Sequence, residues 1–191
     1  MILAAAIKPG TPLSEQRAWM IDGLRVCAEK AAALGITLLA ENSDDVPARP
    51  LMGRGTDCRD VCTEVDSPAF RLIYDSASAL CLNEDPLETL AAMTPYVVHV
   101  HLKNVRPVAV GENIERHNLV ADDGRPFVGT VLDGGVVDQR QILTVLDKLG
   151  YDGYFNIEYQ GEEDPRVALR HNLDYLRRIA EETAARASAA Q

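Results

Sequence analysis

The regular alternation of short apolar runs with helical patterns constrains the fold of this chain most strongly. The apolar runs are "ILAAAI" (2–7), "ITLLAEN" (36–42), "FRLIYD" (70–75), "YVVHVHLKNV" (96–105) and "YFNIEY" (154–159). Strands that are apolar on both faces and alternate with helices are typical of a parallel sheet covered by helices. The pattern therefore predicts an α/β fold, either a closed βα barrel or an open doubly wound sheet. The glycine-rich dinucleotide-binding fingerprint follows none of these strands, which weakens the open-sheet alternative.

The segments between the predicted strands carry helix signals. Residues 14–34 place one apolar position every three or four residues, and Gly35 follows as a helix-ending glycine. Asp85 before Pro86 and Asp138 before Gln141 are typical N-terminal caps. Further helices are predicted near 57–65, from Asp138 to Gly150, and from 164 to about 182. Residues 106–137 show no clear period and are predicted to form a long functional or disordered loop.

Length and composition limit the class of protein. The 191 residues suit a single domain, predicted over residues 1–182, with a frayed tail over 183–191. No apolar run is long enough to cross a bilayer and no signal-like segment opens the chain, so we expect a cytoplasmic protein without a membrane partner. The net charge of −10 argues against nucleic-acid binding. The four cysteines lack a metal-binding spacing and are predicted to be reduced thiols.

Polar residues recur at the carboxyl ends of the predicted strands. Glu41, Asp75, His101 and Glu158 each lie at or near such an end, where parallel barrels place their active sites. Three carboxylates that converge in a barrel interior would repel one another unless a cation lay among them. These four residues are therefore predicted to bind a divalent metal ion, namely Mn²⁺, Mg²⁺, Co²⁺ or Zn²⁺.

Each of these residues also has an ordinary structural interpretation. A single acidic residue at a strand end is more often a helix cap or a salt-bridge partner, and a histidine in a strand is usually a core residue. Because side chains alternate along a strand, His99, His101 and Lys103 share one face. His99 lies deeper and is better interpreted as support. Lys103 could contact a substrate oxygen, balance the negative charge, or be a solvated lysine.

Several stretches together resemble the sugar phosphate isomerase/epimerase family, the xylose isomerase-like TIM barrels. The stretches are "LLAEN" (38–42), "LIYDSASAL" (72–80), "PYVVHVHLKNV" (95–105), "LDGGVVD" (132–138) and "LGYDGYFNIEYQGEEDP" (149–165). The family includes ketose 3-epimerases, hydroxypyruvate isomerase and inosose dehydratase. The resemblance implies that Glu41, Asp75, His101 and Glu158 are the metal ligands.

The resemblance also implies a chemistry. In isomerases and epimerases of this type the two glutamates, here Glu41 and Glu158, exchange protons with a sugar, sugar phosphate or polyol next to its carbonyl group. A metal-stabilised enediolate then leads to isomerisation or epimerisation, or to dehydration if a hydroxyl group leaves. Lys103, His99, Ser78 and His117 are the predicted substrate-binding residues, and His117 lies in the long loop with Arg106 and Arg116.

The chain departs from the family in sequence and in length. Ser43 stands where many members have histidine, and Ser78 stands where they have asparagine or histidine. Asn104 replaces the usual aspartate. The predicted strands correspond to the last five of the eight βα units, so a partial barrel with two open sheet edges is expected. We therefore expect a homo-oligomer or a complementing subunit that covers those edges.

Two other classes of function stay open at the level of sequence. The chain could be a non-catalytic partial barrel that kept its ligands by descent and serves in binding or assembly. A related barrel nuclease that acts on abasic DNA shares the fold class, but it requires a cluster of zinc-binding histidines, and the whole chain contains four histidines. A metal-dependent enzyme that acts on a sugar or polyol remains the leading hypothesis.

Overall fold

The computed structural model describes residues 1, 7–44, 49–114 and 118–189. Its helices are α1 (Leu13–Ala33), α2 (Arg49–Met52), α3 (Gly55–Val65), α4 (Ser78–Cys81), α5 (Pro86–Met93), α6 (Gln139–Lys148) and α7 (Pro165–Ala189), with a single 3₁₀ turn at Thr94–Tyr96. Its strands are β1 (Leu38–Glu41), β2 (Phe70–Asp75), β3 (Val97–Leu102), β4 (Asn104–Pro107), β5 (Asn118–Val120), β6 (Pro126–Thr130) and β7 (Tyr154–Ile157).

Four strands form a parallel sheet in the order β1-β2-β3-β7. Every neighbouring pair is parallel, so the carboxyl ends of all the strands meet at one edge of the sheet. This arrangement confirms the predicted parallel α/β architecture, and four strands are consistent with a partial barrel. The first predicted strand, 2–7, falls largely on residues outside the described part of the chain.

The predicted helix ends are confirmed. The Asp85 side chain accepts hydrogen bonds from the backbone N–H groups of Leu87 and Glu88, and Pro86 occupies the first helical position of α5. Asp138 accepts a hydrogen bond from the backbone of Gln141 at the start of α6. Gly35, just after α1, has a φ of 66°, a left-handed conformation that glycine adopts without steric cost.

The core lies between the parallel sheet and its helices. Apolar side chains of β2 and β3 pack with α3 and α5; fully buried members of this core include Val61, Phe70, Leu72, Tyr74, Leu90, Met93, Val100 and Leu102. All four cysteines are free thiols, and Cys58, Cys62 and Cys81 are buried. Burial raises the pKa of Cys62 to about 12, so this thiol is an inert packing group.

The segment predicted as one long irregular loop contains a second sheet. Strands β4, β6 and β5 pair in that order and are antiparallel. The prediction of an unstructured 106–137 was therefore wrong. β4, β5 and β6 are short and mix asparagine, arginine, proline or glycine with apolar residues, so they do not form apolar runs in the sequence. The predicted strand 96–105 also divides at Lys103 into β3 and β4.

The last helix is longer than the sequence indicates. α7 runs to Ala189, beyond Glu182, where the predicted frayed tail begins. Four of the seven residues 183–189 are alanine, the residue that favours helices most strongly. None of the helices in the described part of the chain combines the length and apolar character that a membrane-spanning helix needs.

Candidate metal centre

The carboxyl edge of the parallel sheet brings the four predicted ligands together. Glu41 ends β1, Asp75 ends β2, His101 lies in β3, and Glu158 directly follows β7. One ligand atom from each residue lies within 4.8 Å of the corresponding atom of every other. The two glutamates come from the two outer strands of the sheet, and both reach His101 on β3.

His101 lies between the two glutamates. Its Nδ1 atom is 2.7 Å from Glu41 Oε1 and 3.1 Å from Glu158 Oε2. Burial opposes the charged imidazole, but hydrogen bonds with Glu158 and Glu41 outweigh burial and raise the pKa of His101 to about 10. The same hydrogen bond to His101, with the charge of Lys103, lowers the pKa of Glu158 to about 2 against the effect of burial. Glu158 is therefore ionised at neutral pH.

Asp75 is the most deeply buried member of the cluster, at 1% exposure. Its Oδ1 atom accepts hydrogen bonds from the backbone N–H groups of Ala77, at 2.7 Å, and Ser78, at 2.9 Å. Oδ2 lies 3.6 Å from Lys103 Nζ. Burial raises the pKa of Asp75 to about 6, against the opposing charge of Lys103. The backbone thus fixes one oxygen of this carboxylate and leaves the other for a cation.

Lys103 lies beneath the carboxylates, with its side chain only 3% exposed. Its amine is 2.8 Å from Asp44 Oδ2 and 3.2 Å from Glu158 Oε1. Burial lowers the pKa of Lys103, but the charges of Asp75, Asp44 and Glu158 outweigh burial and raise it above the usual range. The interpretation as a solvated lysine is therefore wrong. Of the two remaining interpretations, the position of the amine favours charge balance within the cluster.

The backbone of Lys103 is held as firmly as its amine. Ser76 Oγ donates to the Lys103 carbonyl, at 2.8 Å, and accepts from the Lys103 N–H, at 3.0 Å. The buried Gln139 at the start of α6 donates from Nε2 to the same carbonyl, at 2.8 Å. These bonds fix the residue at which the chain leaves the parallel sheet and enters the antiparallel one.

The other predicted substrate-binding residues occupy different environments. The His99 ring packs edge-on against the His101 ring, with centroids 5.4 Å apart, as expected of a supporting residue. Burial, followed by the charge of His101, lowers the pKa of His99. Ser78 is buried and touches the cluster through its backbone N–H. His117 lies outside the described residues. A substrate-binding role for these residues, and for Lys103, remains a prediction.

Three residues at the site escaped the analysis of the sequence. Asn42 extends the pairing of β1 and β2, because its side chain binds both the N–H and the carbonyl group of Asp75. Asp44 contacts Lys103, and Gln160 Nε2 donates to Glu158 Oε1 at 2.9 Å. A signal existed for Gln160 alone: in an extended chain, residues two apart point to the same side, so Gln160 points with Glu158.

Asn104, where the family resemblance implies an aspartate, faces away from the ligands. Its Nδ2 atom donates to the carbonyls of Leu132, at 2.6 Å, and Val137, at 2.9 Å. Its Oδ1 atom accepts from the N–H groups of Val105 and Val137. A carboxylate here would place an oxygen against two carbonyl oxygens. Asn104 therefore anchors the segment 132–137, and its departure from the family pattern does not alter the ligand set.

The chemistry of the cluster fits a divalent cation. Three carboxylate oxygens and one imidazole nitrogen converge, a donor set that suits Mn²⁺, Mg²⁺, Co²⁺ or Zn²⁺. Asp44 adds a fourth acidic group beside Lys103, so the local charge stays negative even with that lysine protonated. Ligands from the carboxyl ends of neighbouring parallel strands are characteristic of TIM-barrel metal sites.

Comparison with known proteins defines the family. A model for the xylose isomerase-like TIM barrel family matches residues 1–179, so the chain belongs to this family. Among curated proteins, it is similar to inosose dehydratase from Geobacillus thermodenitrificans, with 29% identity over 170 residues. This match covers 82% of the chain and 51% of the relative. The chain thus spans about half the length of the curated relatives it matches.

Solved structures support the same fold. An L-ribulose 3-epimerase has a TM-score of 0.71 at 15% identity, over 97% of this chain and 61% of the epimerase. A xylose isomerase-like TIM barrel protein from Mycobacterium smegmatis, in complex with magnesium, has a TM-score of 0.66 at 23% identity. That match covers 91% of this chain and 53% of the other. At these identities the likeness concerns the fold.

Proposed function

We propose that the cluster binds a divalent metal ion and catalyses proton abstraction next to the carbonyl group of a sugar, sugar phosphate or polyol, leading to isomerisation or epimerisation. The observation that carries the proposal is the convergence of Glu41, Asp75, His101 and Glu158 at one edge of the parallel sheet. The magnesium complex of the family member from M. smegmatis supports a metal of this kind.

Glu41 and Glu158 would carry the proton transfers. When bound, a divalent cation supplies Lewis-acid stabilisation of the negative charge that develops beside the carbonyl group. Glu158 is ionised at neutral pH and can accept a proton at a carboxylate oxygen. Glu41 Oε1 lies 2.7 Å from the His101 nitrogen that Glu158 also contacts, and Glu41 would be the second proton-exchanging carboxylate. Inversion at a carbon centre would require Glu41 to act on the face of the substrate opposite to Glu158.

His101 and Lys103 would hold the two bases in place. His101 contacts both glutamates through one nitrogen, and Lys103 binds the other oxygen of Glu158. Since both oxygens of Glu158 have partners, its carboxylate has a defined orientation before substrate arrives. Such preorganisation lowers the cost of reaching the transition state.

Dehydration on the same scaffold is the second candidate, and the curated relatives favour it. Curated relatives that match 82% of this chain are named inosose dehydratase. Loss of a β-hydroxyl group after the same proton abstraction would give a dehydrated product. The two outcomes share the first step and differ in the fate of the intermediate.

Solvent isotope exchange tests the shared first step. The metal-loaded protein is incubated in deuterium oxide with a ketose, hydroxypyruvate and an inosose, and deuterium at the α-carbon is followed by NMR. Incorporation with retained hydroxyl groups supports epimerisation, and loss of water supports dehydration. Glu158→Gln should slow exchange by about a hundredfold or more, whereas the exposed Glu181→Gln should not. If no substrate exchanges and Glu158→Gln changes nothing, the non-catalytic alternative replaces this proposal.

Association through an open sheet edge remains a prediction. Within the described residues β7 is an outer strand, and Tyr154 and Phe155 on it are 79% and 40% exposed. Unpaired strand edges with apolar side chains favour pairing with another chain. Light scattering on size-fractionated protein tests self-association, because a monomer at every concentration would contradict a homo-oligomer and would leave a complementing subunit as the predicted partner. A cytoplasmic location likewise remains a prediction.

A further inference from the structure

The carboxylate of Glu158 is divided between two environments. Oε2 faces the ligand cluster, 3.1 Å from His101 Nδ1. Oε1 is held by two donors: Lys103 Nζ at 3.2 Å and Gln160 Nε2 at 2.9 Å. Lys103 also contacts Asp44 and Asp75, so its amine is shared among three carboxylates. In contrast, Gln160 Nε2 donates to Glu158 alone among the described residues.

The antiparallel sheet fixes the backbone next to Gln160. Gly161 forms a parallel bridge with Gly129 of β6. The two segments lie so close that a Cβ atom on Gly129 would collide with the backbone carbonyl of Gln160. A Cβ atom on Gly161 would lie 2.8 Å from the Gly129 carbonyl oxygen. Glycine at both positions is therefore what allows β6 to press against the segment that carries Gln160.

We propose that Gln160 is a positioning residue for Glu158, and that the antiparallel sheet holds Gln160 in place through the contact between Gly129 and Gly161. The amide fixes the rotation of the Glu158 carboxylate, so that Oε2 points into the cluster. The inference rests on the metal site of the proposed function, and only its catalytic part also rests on the proton abstraction. The inference gives the antiparallel sheet a role at a site to which it contributes no ligand.

Removal of the Gln160 amide gives the first test. Gln160→Met keeps the length of the side chain but removes the donor. Outer hydrogen-bond partners of metal ligands typically contribute ten- to a hundredfold in affinity. Since Lys103 still holds Oε1, we expect the affinity of the metal-free protein for Mn²⁺, measured by isothermal titration calorimetry, to fall about tenfold. Gln141→Met, at an exposed glutamine in α6, is the matched control and should bind as the wild type does.

A change in β6 tests the role of the antiparallel sheet. Gly129→Ala leaves the Gln160 side chain intact but pushes its backbone away. It should weaken Mn²⁺ binding in the same direction as Gln160→Met. The double variant should lose little more than the larger of the two single losses, because both changes act on one contact. Additive losses would show that Gly129 does not act through Gln160.

Kinetics separate positioning from a general structural role. If a substrate of the proposed function is found, Gln160→Met should lower kcat about tenfold and leave KM within about twofold. Near-UV circular dichroism confirms that each variant is folded. Wild-type protein that binds Mn²⁺ without exchanging any substrate proton would contradict the proposed function, and the affinity comparison would still decide the role of Gln160. Folded Gln160→Met with wild-type affinity, or wild-type protein that binds no Mn²⁺, would overturn the inference.

Discussion

The two sheets of this protein differ in how they serve the site. The parallel sheet supplies all four candidate ligands from the carboxyl ends of its strands. The antiparallel sheet supplies none, but it lies next to the segment after Glu158 through Gly129 and Gly161. Lys103 and Asn104, neighbours in sequence, mark the boundary, since the first points into the cluster and the second anchors the segment 132–137. The parallel sheet therefore carries the candidate ligands, and the antiparallel sheet contacts the segments that position them.

The largest effect is expected from Lys103, on the parallel-sheet side of the boundary. Lys103→Met leaves Asp75 and Glu158 without their buried counter-charge, and breaking a buried ion pair typically costs about 3–5 kcal/mol. Urea unfolding in the presence of a chelator measures this loss. The exposed Lys148→Met in α6 is the control and should change the free energy of unfolding little.

The same unfolding experiment is repeated with Mn²⁺ in place of the chelator. A cation in the cluster replaces the missing positive charge, so Mn²⁺ should raise the unfolding midpoint of Lys103→Met more than that of the wild type. An equal response of the two proteins would indicate that Lys103 does not balance the charge of the ligands.

The next largest effect is expected from Asn104, on the antiparallel-sheet side. Asn104→Asp places a carboxylate oxygen against the carbonyls of Leu132 and Val137, which should cost about 3 kcal/mol in the free energy of unfolding. Because Asn104 faces away from the ligands, Mn²⁺ affinity should fall less than in Gln160→Met. The control is Asn113→Asp, at an exposed asparagine. A loss of metal binding as large as that of a ligand variant would contradict the proposed division between the sheets.

The smallest effect is expected from Asp44. Asp44→Asn weakens one of three carboxylate contacts of Lys103, and Asp44 is partly exposed, so the free energy of unfolding should fall by about 1 kcal/mol. Differential scanning calorimetry of wild type and variant measures the shift. A destabilisation as large as that of Lys103→Met would show that Asp44, and not Asp75 or Glu158, is the main partner of the lysine.

The sequence predicted the parallel sheet and the convergence of the four candidate ligands because both depend on local patterns. Buried strands read as apolar runs, and side chains at equivalent strand ends must meet when the strands are parallel. The family resemblance agrees with the same four residues, Glu41, Asp75, His101 and Glu158.

The antiparallel sheet could not be predicted in the same way. Its strands mix polar residues, proline or glycine with apolar residues, and their pairing depends on contacts between distant segments. For the same reason the burial of Lys103 was not evident, because Asp44 and Glu158 reach it from other parts of the chain. Asn104 illustrates the limit most clearly, since its partners lie 28 and 33 residues away.

Metal titration tests the central claim most directly, namely that Glu41, Asp75, His101 and Glu158 form one divalent cation site. Chelator-treated protein is titrated with Mn²⁺ by isothermal titration calorimetry, alongside Glu41→Gln and the exposed control Glu29→Gln. We predict one Mn²⁺ per chain for the wild type and the control, and at least tenfold weaker binding for Glu41→Gln. Absence of saturable binding in the wild type, or equal affinity in Glu41→Gln, would contradict the account.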